Sequence, residues 1–86
     1  MVSIVTDLMA EALFASDLQP SSAPSPQAVH EAVTATLLRH GADGCAAILA
    51  SEYGDHPESA VARMCWARAQ AAATAATITG ADLPLT

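Results

Sequence analysis

The stretch Gly54-Asp55-His56-Pro57-Glu58 constrains the fold of this 86-residue chain more than any other. A glycine ends a helix in the left-handed conformation without a Cβ penalty. Directly after it, Asp55 is placed to cap a second helix, with Pro57 in the first turn and Glu58 three residues beyond the cap, an acidic variant of the capping box. A helix stop fused to a helix start makes a sharp corner, and such a corner fixes an interhelical angle. It sets architecture and says little about chemistry.

Both sides of the corner read as helix. Alanine dominates, β-branched residues are scattered, and Phe14, Tyr53 and Trp66 are the only aromatic residues. Alanine is the best helix former, whereas a sheet wants branched and aromatic side chains. The expected class is all-α, with residues 1–86 as one small four-helix domain. It has a tri-helical, helix-turn-helix-like core and a long C-terminal helix. The first helix covers about 4–18, started by Ser3 or Thr6. Ile4, Val5, Leu8, Met9, Ala12, Leu13 and Leu18 recur at helical spacing there, and Asp7 and Glu11 lie on the other face. Residues 19–25 form a Pro/Ser-rich connector, where Pro20 and Pro24, with Pro26 directly after, deny helix and favour an extended path.

The second helix covers about 26–40, with Ser25 as cap and Pro26 at its first position. Val29, Val33 and Leu37 make its stripe with Leu38 beside them, and Arg39 and His40 complement the dipole in its last turn. A short third helix over 44–53, begun by Asp43 or Gly44, turns Cys45 or Ala46, Ile48, Leu49 and Tyr53 inward. The fourth runs from 56 to 77, and Gly80 opens the tail.

The fourth helix carries a conflict. Spaced at 100° per residue, Ala60, Val61, Met64, Cys65, Ala71, Ala72 and Ala75 share one face, with Arg68 inside it. Ser59, Arg63, Gln70, Thr74 and Thr77 make the polar face, and Trp66 sits on it. The largest apolar side chain thus lies where solvent is expected. Two arrangements resolve this: a second subunit covers Trp66, or the first helix wraps back over it. Tryptophan is a common interface anchor.

Charge narrows the partners. Nine carboxylates face Arg39, Arg63 and Arg68, for a net charge of -6 without any lysine. Phosphate binding needs cations, so the balance argues against nucleic acid and against an anionic membrane surface. It suits a basic protein partner. The N-terminus has no basic residue before its apolar run and does not read as a signal peptide, and no apolar run is long enough for a bilayer span. The expected setting is the cytoplasm, where Cys45 and Cys65 are free thiols.

The residues offer four candidate chemistries. The helices meeting at Tyr53-Gly54-Asp55-His56 have helix-turn-helix form, but Asp55 and Glu58 at the leading end of the second would repel phosphate. His30, His40, Cys45, His56 and Cys65 are zinc-ligand types, yet none stands at ligand spacing. His40 reads as helix-terminal charge, His30 as surface, and both cysteines as small core hydrophobes. Cys45, near a helix N-terminus, could also be a sensing thiolate. Asp55, His56 and Glu58 could be drawn as acid–base machinery, but the acids are already used as caps. An acyl carrier is rejected because Ser59 stands too late and lacks the Gly-x-Asp-Ser-Leu setting. The expectation is therefore no catalytic residue, no cofactor and no bound metal.

Leu13-Phe14-Ala15-Ser16-Asp17-Leu18-Gln19-Pro20-Ser21, Gly44-Cys45-Ala46-Ala47 and Glu52 to Glu58, continuing through Arg63-Met64 and Trp66-Ala67-Arg68, carry a resemblance. Over about residues 12–68 the chain resembles small uncharacterised alanine-rich helical proteins of high-GC actinobacteria. The resemblance implies a bacterial, cytosolic setting and assigns no site residues.

The functional expectation is a non-enzymatic protein–protein interaction or regulatory module that acts as a homodimer through the fourth and first helices. Trp66, Arg63, Gln70, Glu52, Asp55 and Glu58 are its candidate interaction residues. The alternative is a helix-turn-helix DNA-associated regulator using Arg63 and Arg68, and the third reading is a thiol or metal sensor through Cys45 and Cys65.

Overall fold

The computed structural model describes the backbone of residues 4–82 and the side chains of residues 5–75. All of its secondary structure among these residues is helical: α1 (Ile4–Ala15), a single 3-10 turn (Pro20–Ser22), α2 (Pro26–Asp55) and α3 (Pro57–Asp82). The all-α expectation holds, but there are three long helices rather than four.

The expected second and third helices are one element bent at a single residue. Gly41 alone leaves helical geometry, at φ 71 and ψ 170. Two glycines make this bend possible. Gly41 adopts a conformation nearly closed to other residues. One turn later Gly44 lets the backbone close up, since a Cβ there would lie 2.9 Å from the His40 Cβ. With both present, no linker is needed between the two halves.

The corner between α2 and α3 is tighter than its sequence suggests. Gly54 stays helical, and the left-handed glycine is Gly41 instead. Asp55 is the last residue of α2, so the Asp55–Glu58 capping box does not form. His56 is the hinge: its N–H donates to Glu52 O at 2.7 Å, closing α2, and its carbonyl accepts from Ala60 N at 2.8 Å, opening α3. Pro57 then takes the first helical position, where its missing N–H costs nothing.

Other boundaries shift for identifiable reasons. α1 ends at Ala15, three residues before the expected stop, because Ser16 turns the chain. Its N–H and hydroxyl both donate to Leu13 O, and its Oγ accepts from Leu18 N. The connector is extended only at Gln19 (φ -113, ψ 141); Pro20 then starts a 3-10 turn that closes on a left-handed Ala23. Ser25 caps α2 as its sequence indicates, accepting from Ala28 N at 3.1 Å. α3 runs past Thr77 and through Gly80 to Asp82, while the rest of the expected tail lies outside the described residues.

α3 runs antiparallel to α1. Arg63 reaches the C-terminal end of α1, and Arg68, further along, shares a cleft with Asp7 and Glu11 near its start. The core joins Ala10, Ala12, Leu13 and Phe14 of α1, Val29, Val33 and Cys45 of α2, and Ala60, Met64, Ala67 and Ala71 of α3. On α3 the buried positions are 60, 64, 67, 71 and 74, an alternating four–three spacing that keeps one narrow seam inward. This seam is rotated from the expected face. Thr74, placed on the polar side, is buried, whereas Val61, Cys65, Arg68 and Ala72 are exposed. Cys65 is thus not a core residue, and Leu38, expected beside the α2 stripe, is 83% exposed.

Candidate functional site

The rotation of α3 changes what its candidate residues do. Arg63, Trp66 and Gln70 flank the buried seam and are half-buried rather than solvent-facing. Arg63 lies against the end of α1, a helix whose last turn contains no basic residue of its own. The last carbonyls of any helix lack intrahelical donors and carry the negative end of its dipole. Arg63 supplies both the donors and the charge. Its Nε donates to Phe14 O at 2.8 Å, and one terminal nitrogen donates to Ser16 O and Leu18 O, each at 2.9 Å. A longer contact of 3.4 Å runs from the same nitrogen to Leu13 O.

Two aromatic rings hold the guanidinium in place. Its carbon lies 5.0 Å from the Trp66 ring centroid and 5.8 Å from that of Phe14, within the range of cation–π attraction. Phe14 in turn stacks on Tyr53, with centroids 6.0 Å apart and planes 12° apart. Burial lowers the pKa of Arg63 from its ordinary value, and the nearby Glu52 carboxylate acts in the opposite direction. Trp66 therefore packs on the protein's own arginine and core. Of the two arrangements that would satisfy it, the structure contains the one within the chain.

Five of the six interaction candidates separate into two groups, and Gln70 stands apart from both. Arg63 and Trp66 are in contact, and Glu52 is close enough to act on Arg63 electrostatically. Asp55 and Glu58 stand exposed at the α2–α3 corner, where His56, Pro57, Glu58 and Ser59 line a shallow depression. No described contact joins Gln70 to either group.

The thiols differ sharply. Cys45 is buried, and burial pushes its pKa up, with the Glu11 carboxylate adding to the shift. A raised thiol pKa disfavours the nucleophilic thiolate expected near a helix N-terminus. Cys65 is exposed. Among the described residues, no three His, Cys, Asp or Glu side chains converge as a metal site. No described helix is long and apolar enough to cross a membrane.

A second feature was not anticipated from sequence. Asp7, Ala10 and Glu11 of α1, Leu49 and Tyr53 of α2, and Met64 and Arg68 of α3 line a half-open cleft of about 260 Å³. All three helices contribute to it. The spacing of Asp7 and Glu11 places them on one helix face, but their convergence with Arg68 depends on the helix packing. No family model, curated protein or solved structure matches this chain.

Proposed function

We propose that this chain is a non-enzymatic protein–protein interaction module of the bacterial cytosol that works as a homodimer, with the outward face of α3 as the contact between copies. The observation that carries this reading is the uncovered back of α3. Ala62, Cys65, Ala69 and Ala72 recur there at three–four spacing, all exposed, beside a Val61 that is 52% exposed. Small side chains permit a second helix to approach closely, and a two-fold axis would place this face against itself.

The core supplies the motive for pairing. Among the described residues, five of the eleven buried apolar ones are alanine, namely Ala10, Ala12, Ala60, Ala67 and Ala71. Burial stabilises by about 0.8 kcal/mol per CH₂, so an alanine-rich core in a chain this short gains little. A second copy would add buried surface without enlarging the fold. Trp66, the anchor expected from sequence, is already engaged by Arg63, and the contact moves to the opposite flank of the helix.

The helix-turn-helix alternative draws less support. Only His56 separates α2 from α3, Asp55 and Glu58 flank the start of the would-be reading helix, and Arg63 is committed to the carbonyls of α1. A thiol sensor at Cys45 would need a thiolate that burial opposes.

Light scattering on the purified chain should give twice the monomer mass at tens of micromolar. Ala69→Glu, at an exposed helical position, should give a monomer with unchanged helical content. A wild-type monomer at several hundred micromolar, or a dimer that survives Ala69→Glu, would overturn the reading.

A further inference from the structure

We infer that the Gly41 bend is a hinge at which α2 straightens, so that two copies of the chain exchange the segment from α1 to residue 40 and complete each other's core. The occupant of the opened core is thus that segment of a second copy. This goes beyond the pairing of α3 faces and uses a different surface.

The phase of α2 carries the argument. At 3.6 residues per turn, positions nine apart lie on opposite sides of a helix. Val29, Val33 and Thr36 are buried and make one stripe, while the buried Cys45 and Leu49, which packs against the core, make another. Leu38 stands nine residues after Val29, seven before Cys45 and eleven before Leu49. In an unbroken helix the two stripes would therefore face opposite ways, and Leu38 would head the second. The turn at Gly41, with φ 71 and ψ 170, brings both stripes into one core and leaves Leu38 outside it. At 83% exposure Leu38 is the most exposed large apolar side chain among the described residues.

The hinge is free to move. Gly41 alone departs from helical geometry, and no atom lies within 4 Å of where its Cβ would stand. Leu38, Arg39, His40, Ala42 and Asp43 around it are exposed, so straightening displaces nothing packed on the bend. Short hinges favour exchange between copies because they tie the two bodies closely without a linker.

The contacts that hold the two bodies together can all reform in trans. Arg63 donates to the carbonyls of Phe14, Ser16 and Leu18, and Phe14 stacks on Tyr53. Each joins a residue before the hinge to one after it. The exchanged pair keeps these contacts, regains helical geometry at residue 41, and covers Leu38. Its side of the straight helix is the one that Cys45 and Leu49 turn toward the core, now filled by the second copy. The net charge of -6 slows the encounter of two copies, so exchange is favoured by salt and by concentration.

The test uses the Ala69→Glu chain, in which α3 faces no longer pair, at millimolar concentration and physiological salt. Equal amounts of ¹⁵N,¹³C-labelled and unlabelled protein are mixed, opened in moderate urea and returned to buffer. Isotope-filtered nuclear Overhauser spectra then show whether the stacked Phe14 and Tyr53 rings belong to one copy or to two. In the bent chain, and in a dimer paired through α3, that contact lies within a copy. The expected result is a dimer fraction that survives dilution and has the contact between copies. Gly41→Ala should raise the dimer association constant by about 25-fold, about fivefold for each copy relieved of a bend that alanine disfavours. In dilute solution the same variant shows only the strain. Leu38→Ser should leave the thermal midpoint of the bent monomer unchanged and lower the exchanged fraction severalfold. The inference is overturned if the chain with Gly41 yields no exchanged fraction, or if the ring contact of the dimer stays within one copy. It is equally overturned if Gly41→Ala dimerises no more strongly, or if Leu38→Ser exchanges as readily. Should Gly41→Ala lose native amide dispersion, the chain with Gly41 and the Leu38→Ser variant decide the matter. The mass of the wild-type chain before the urea step reports pairing through α3, so either reading can fail without the other.

Discussion

Two glycines in α2 should respond oppositely to the same substitution. At Gly41, φ 71 and ψ 170 belong to a region almost reserved for glycine, and no atom lies within 4 Å of where a Cβ would stand. Gly41→Ala therefore meets no clash but strains the backbone, at a cost of about 1–3 kcal/mol. Gly54 is helical and equally open, so Gly54→Ala should stabilise by about 0.5–1 kcal/mol. In a domain of this size each kcal/mol moves the thermal midpoint by about 4–8 °C, and the two shifts should have opposite signs. A neutral Gly41→Ala would mean that the bend is absent in solution. Sequence context marked Gly54 because a proline follows three residues later. The bend at Gly41 falls where the sequence ends the second helix, after Arg39 and His40; what the sequence does not show is that the helix resumes at once, without a linker. Cys45 offers a second prediction at this scale. Its raised pKa means the unfolded thiol ionises before the folded one. The stability it contributes is complete below the unfolded thiol value of about 8.5 and is lost as pH rises beyond it. Urea midpoints should fall between neutral and strongly alkaline pH, and Cys45→Ala should flatten that slope.

At the scale of the element, α1 owes its C-terminus to a residue on another helix. Arg63→Ala would leave the carbonyls of Phe14, Ser16 and Leu18 without their shared donor and free the two rings that enclose it. Hydrogen bonds to charged groups contribute about 1.5–3 kcal/mol. The expected destabilisation for the variant, since one cation serves all three acceptors, is about 2–3 kcal/mol, with accelerated amide exchange in the last turn of α1. Arg63→Lys should recover little, because a single ammonium cannot span these carbonyls or lie flat against the rings. Full recovery by lysine would show that charge alone suffices. The sequence contained one indirect signal of this arrangement. α1 has no basic residue in its last turn and no glycine after it, so its carbonyls required a donor from elsewhere. Only three cationic side chains were available to provide it.

Over the whole molecule, the helical class and the Ser25 cap were legible because alanine content and capping chemistry act locally. The orientation of α3 was not. Its buried seam reads Ala60, Met64, Ala67, Ala71 and Thr74, while its exposed back reads Ala62, Cys65, Ala69 and Ala72. Hydrophobic periodicity finds a face by contrast, and alanine on both sides removes the contrast. The face assigned from Val61 and Cys65 was rotated, and the apparent misplacement of Trp66 came from that rotation. The cleft was hidden for another reason: its lining comes from three helices, and only their packing brings it together. The Arg63 contacts also bear on how the chain is made. They join residues 45 to 50 positions apart, so α1 leaves the ribosome long before the side chain that finishes it has been translated. Until Arg63 emerges, the nascent α1 has an open C-terminal end, whichever of its apolar residues α2 already covers. The C-terminal end of α1 is therefore finished only after most of the chain has been made, although its packing on α2 can begin earlier.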